Sequence, residues 1–74
     1  MFDQALFSER LKNLRTEKGL SQSALGAMIG VSNHAVYDME NGRRTTTMEK
    51  IYMLAEVLET TSDYLIGLSD VRER

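Results

Sequence analysis

Hydrogen-bonding side chains crowd one short stretch, GVSNHAVYDMENGRR, from Gly30 to Arg44. Ser32, Asn33 and His34 open it, Tyr37 and Asp38 follow one turn later, and Asn41, Arg43 and Arg44 close it. Such side chains recognise polar surfaces rather than break bonds. An asparagine amide presents a donor beside an acceptor and matches the N6 and N7 edge of adenine; a carboxylate can accept from the amino group of cytosine. An arginine pair offers charge to phosphates. Catalytic chemistry has little to work with. There is no cysteine for a thiolate or a disulfide, and a single histidine makes a histidine metal site improbable. No nucleophile–base pair, phosphate-binding loop or metal cluster is visible, so neither an enzyme nor a cofactor or metal is expected.

A helix must carry this stretch, because apolar residues recur at helical spacing almost throughout the chain. Phe7, Leu11 and Leu14 form a first stripe, Leu25, Met28 and Ile29 a second, and Val36 with Met39 a third. Ile51, Leu54, Ala55 and Leu58 form a fourth, and Leu65 with Leu68 a short fifth. Gly19, Gly30 and Gly42 each stand just past a stripe, where a residue without Cβ can close a helix. Ser21, Ser32 and Thr61 are placed as N-caps, and Thr46 with Glu49 spells a capping box for the fourth helix. The expectation is an all-α fold of five short helices in one domain spanning residues 1–74. Seventy-four residues sit near the lower limit for a chain folding without staples.

The second and third helices are joined only by Gly30, Val31 and Ser32. So short a connection forces a steep crossing, and the apolar Val31 is expected underneath the turn, fixing the angle. The third helix then buries Val36 and Met39 on a narrow edge, with Asn33, His34, Tyr37 and Asp38 facing out. That is the shape of a helix suited to the major groove of DNA.

Three segments in register, LRTEKGLSQ (Leu14–Gln22), SALGAMIGVS (Ser23–Ser32) and MENGRR (Met39–Arg44), resemble the Cro/phage-repressor-type (Xre-like) helix-turn-helix family. LAEVLETTSDYL (Leu54–Leu65) is similar to the same family's last two helices. The resemblance covers about residues 7–68 and implies a lambda-repressor-like DNA-binding domain with its helix-turn-helix at helices two and three. It implies that Ser32, Asn33, His34 and Asp38 meet base edges, that Tyr37, Asn41 and Arg43 lie at the phosphate backbone, and that Gln22 contacts phosphate and braces the recognition helix; Arg44, paired with Arg43 beside the end of the third helix, is read as a further phosphate contact. It further implies an internal pair between Arg15 and Glu40. Gly26 stands where the family often has alanine, a choice expected to cost helix stability. Thr45, Thr46 and Thr47 stand where it typically has proline. Asp38 is acidic where basic or amide residues are frequent.

Net charge is −2, an unusual balance for a nucleic-acid partner, but its distribution is uneven. Arg10, Lys12, Arg15 and Lys18 share the first helix, whereas Glu49, Glu56, Glu59, Asp63, Asp70 and Glu73 fall in the C-terminal half. Tyr52, Met53, Tyr64 and Ile66 exceed what so small a core requires. They are read either as core and rim or as the surface of a homodimer on helices four and five. No membrane span, signal pattern or small-molecule site is visible, so a cytoplasmic chain is expected. Two functions remain open: a dimeric regulator of transcription, such as a repressor at a pseudo-palindromic operator on double-stranded DNA, or an antitoxin or protein-interaction module on the same fold.

Overall fold

Local hydrogen bonding at the chain's punctuation residues sets where each helix starts. The computed structural model describes residues 2–74, and among them it contains five helices and no strand. Helix α1 runs Gln4–Glu17, α2 Gln22–Ile29, α3 Asn33–Glu40, α4 Met48–Val57 and α5 Ser62–Ile66. The side chains of Ser21, Ser32 and Thr61 accept from the backbone N–H of Ala24, Ala35 and Tyr64, as their spacing predicts. Asp3 does the same for α1 through Leu6. The fourth cap differs from the sequence reading. Thr47, one residue beyond Thr46, accepts from Lys50, so the Thr46–Glu49 capping box does not form. Three consecutive threonines offer equivalent oxygens. Burial of Ile51 and Leu54 sets the phase of the helix and thereby selects Thr47.

The core gathers one edge of every helix. Phe7, Leu11 and Leu14 of α1 meet Leu25 and Ile29 of α2, Val36 and Met39 of α3, Ile51, Leu54 and Ala55 of α4, Leu58, and Leu65 of α5. Helix α3 packs on α1 and α2, α2 also touches α4, and α5 lies against α1 and α4. Two expected core residues are on the outside instead: Met28 and Leu68 are exposed. Met28 follows Ala27 on the outer side of a two-turn helix, and Leu68 lies beyond the end of α5. Helical spacing alone does not separate the centre of an apolar stripe from its rim.

Gly26 has a different role from the one its composition suggests. A Cβ there would lie 2.6 Å from the carbonyl oxygen of Val31 and 3.2 Å from the backbone of Ser32. The missing side chain therefore lets the turn between α2 and α3 fold directly onto α2. Val31 packs partly buried against the core beneath it, as expected. The steep α2–α3 crossing is in this sense a backbone-to-backbone contact.

Candidate nucleic-acid interface

Helix α3 has two chemically distinct faces. Val36 and Met39 are fully buried and Ala35 nearly so, whereas Asn33, His34 and Tyr37 are exposed. Ser32 stands at the helix start with its oxygen already accepting from Ala35 at 3.1 Å, which leaves its hydroxyl proton free to donate. Asn33 makes no side-chain hydrogen bond within the described structure, so both ends of its amide are available.

Glu40, at the end of α3, ties the helix to the rest of the molecule. Its side chain is 1% exposed and receives two bonds from Arg15 on α1, at 2.6 and 3.0 Å. The same guanidinium donates to the carbonyl of Leu20 at 2.7 Å. Hydrogen bonding to Glu40 raises the pKa of Arg15 further above its ordinary value. Gln22, first residue of α2, donates its amide to Glu40 at 3.1 Å. One buried carboxylate thus joins α1, α2 and α3, and two of the expected functional residues, Gln22 and Arg15, converge on it.

The segment after α3 is held just as specifically. Gly42 takes φ +74°, and the N–H of Arg43 returns to the carbonyl of Asp38 at 2.9 Å, closing the helix with a Schellman turn. Asn41 turns its side chain back to the carbonyl of Tyr37 at 2.8 Å, so its amide caps the helix in the structure. Ser8 on α1 donates to the carbonyl of Met39 at 2.6 Å, and Gln4 donates to that of Arg44 at 3.0 Å. Arg43 and Arg44 extend from this clamp and are exposed. Asp38 is half-withdrawn, its side chain 18% exposed, with His34 Nε2 at 3.4 Å and Arg43 Nη1 at 3.9 Å. The Tyr37 ring stacks beside His34, and the Arg43 guanidinium lies 5.6 Å from its centre.

Sequence reasoning missed several of these supports. Lys50 of α4 donates to the carbonyl of Ile29 at 2.7 Å and so caps the C-terminus of α2, the end from which the turn departs. Ser8 and Gln4 carry no sequence signal that marks them, since their partners lie more than thirty residues away. Of the four apolar residues read either as core and rim or as a dimer surface, Met53, Tyr64 and Ile66 pack partly against the core, and Tyr52 is exposed. Tyr64 is further engaged by Arg10, whose guanidinium sits 3.9 Å from its ring centre. No group of metal-ligating side chains gathers among the described residues, and no helix there is long and apolar enough to cross a membrane.

A helix-turn-helix family model matches residues 11–65, from the middle of α1 into α5. The chain belongs to the helix-turn-helix family. Among curated relatives, the HTH-type transcriptional regulator PrpR of Mycobacterium tuberculosis is 31% identical over 71 residues, covering 96% of this chain and 15% of PrpR. Repressor protein C2 of Salmonella phage P22 is 34% identical over 61 residues, 82% of this chain and 28% of C2. This helix-turn-helix chain therefore spans a minor part of the length of both. The P22 c2 repressor solved in complex with a synthetic operator superposes with a TM-score of 0.82 at 33% identity, over 86% of this chain and 97% of that one. The restriction-modification controller protein C.AhdI of Aeromonas hydrophila gives 0.77 at 36% identity, over 85% and 96%. Both solved structures share the overall fold of this chain.

Proposed function

We propose that this chain is a sequence-specific DNA-binding regulator of transcription, acting as a dimer that occupies an operator and represses. The observation that carries this reading is the fixed presentation of α3. Its inner face is buried and its end is pinned through Glu40, while Asn33 and His34 stand unshielded at its first turn. The likeness to the P22 c2 repressor, whose structure was solved on an operator, supports the same reading. In this assignment Ser32, Asn33 and His34 read base edges, and Arg43 and Arg44 neutralise phosphates beside the C-terminal end of α3. Gln22 serves by bracing Glu40, and the N-terminal amides of α2 attract phosphate. Asn41 contributes through the turn that carries Arg43.

A twofold dimer through α4 and α5, with Tyr52 at its exposed edge and Met53, Tyr64 and Ile66 at its rim, would space two α3 helices by about 34 Å, one turn of DNA. Selecting bound sites from a random duplex pool, with binding then followed against salt concentration, tests the reading. A pseudo-palindromic consensus and a steep fall of affinity with salt are expected. Affinity that is absent to high micromolar, or indifferent to salt, would refute it. That result would favour a protein-interaction or antitoxin module, the reading to which the net charge of −2 and the acidic Asp38 lend weight.

A further inference from the structure

We propose that Asp38 is a specificity-determining positioning residue: its carboxylate competes with DNA phosphate for Arg43 and so suppresses binding to unrelated sequences. The inference rests on the DNA-binding reading above. Asp38 is the only acidic residue of α3 besides the buried Glu40. It is also the sole acid between Gly19 and Glu40. It lies between two donors, Arg43 at 3.9 Å and His34 at 3.4 Å, and no donor satisfies it with a full hydrogen bond. The Schellman turn places these groups together: the Arg43 N–H is bound to the carbonyl of Asp38 itself. The Arg43 side chain is thereby led back across Tyr37 towards the carboxylate, with 64% of its surface still exposed. Solvent access to one side leaves the guanidinium free to exchange Asp38 for a phosphate.

The consequence is an unequal tax on two kinds of complex. On a random duplex only phosphate contacts are available, so drawing Arg43 away from Asp38 and bringing the carboxylate near the polyanion opposes binding with nothing in return. On the correct site a cytosine amino group opposite Asp38 can donate a hydrogen bond to the freed carboxylate, which offsets the penalty. Asp38 then widens the ratio of specific to non-specific affinity instead of raising either.

The test uses fluorescence anisotropy with two labelled duplexes, the selected site and a scrambled one, at pH 8, where histidine side chains are ordinarily neutral. Thermal melts verify that each variant is folded. Asp38→Asn is expected to bind the scrambled duplex about 3–10-fold more tightly and to steepen its salt slope by about one unit, while gaining less or losing affinity at the selected site. In an Arg43→Ala background the Asp38→Asn gain on the scrambled duplex is expected to shrink to the part due to direct repulsion between carboxylate and phosphate, because the cation being competed for is gone. A gain that is undiminished in that background overturns the mechanism through Arg43, as does an unchanged scrambled affinity in Asp38→Asn. Wild-type protein that binds neither duplex overturns the DNA-binding reading and this inference with it, an outcome separate from the two variant results.

Discussion

The two ends of the molecule are held by different physics. At the front, α2, the turn and α3 are locked by groups removed from water: Glu40 at 1% exposure, Gly26 against the Val31 carbonyl, and Ser8 beneath Met39. At the rear, α5 buries Leu65 and is held by Arg10, but the carboxylates that pair with the arginines there face solvent. Arg10 donates to the carbonyls of Tyr64 and Ser69 and to Asp70, whose side chain is 98% exposed. Arg72 makes a two-pronged pair with Glu17 at 2.5 and 3.2 Å, and its carbonyl accepts from Thr60. Ion pairs in water are weak and fade with salt, whereas a buried carboxylate left without its partner is strongly destabilising. The element that must be presented at a fixed angle is therefore the one held by interactions that salt does not loosen.

Breaking the front brace should have the largest effect. Glu40→Ala strands Arg15 and frees Gln22 and is expected to cost about 3–5 kcal/mol, most of what a domain of this size has; urea unfolding followed by circular dichroism measures it. Next comes Gly26→Ala. A helix-propensity gain of about 1 kcal/mol is outweighed by the clash with the turn, for a net loss of about 1–3 kcal/mol and a shifted α3. A more stable Gly26→Ala protein would show that the turn is not set by that close approach.

Asn33→Ala probes the other face of the same helix. It should leave the melting curve unchanged while costing about 1–3 kcal/mol of discrimination at one base pair, read by competition with single-base variants of the selected site.

The rear offers a stabilising change. Glu59 closes α4 at φ 56°, the only non-glycine among the described residues with positive φ, and pairs with Lys18. Glu59→Gly is expected to stabilise by about 0.5–1 kcal/mol, more clearly near 1 M salt, where the lost pair no longer counts. The smallest effect belongs to Arg72→Ala. Hydrogen bonding from Arg72 holds the Glu17 carboxyl below its ordinary value. A lowered folded-state value adds stability above the ordinary carboxylate range and loses it as the pH falls through that value. The melting difference between wild type and Arg72→Ala should therefore be present at neutral pH and disappear in acid or in high salt.

Legibility followed the range of each interaction. Ser21, Ser32 and Thr61 were readable as caps because their partners lie three residues away. The His34–Asp38 approach has ordinary helical spacing and was readable in principle. Its second partner, Arg43, lies beyond the α3 turn, where no periodicity reaches. Gly26 was misleading because a missing side chain states its backbone cost and not what fills the space. Tyr64 is surplus to the core by composition alone because its ring packs under Arg10, a partner more than fifty residues away.

Amino-acid order by itself determined five helices, their stop signals, the short α2–α3 connection and the polar face that follows it, since all of these depend on neighbours within a turn or two. Tertiary structure alone decided which carbonyl each buried donor meets. It placed Lys50 at the end of α2, Gln22 and Arg15 on one carboxylate, and Arg43 beside Asp38. Those choices depend on how distant backbone segments pack, and burial makes a wrong pairing too costly to persist.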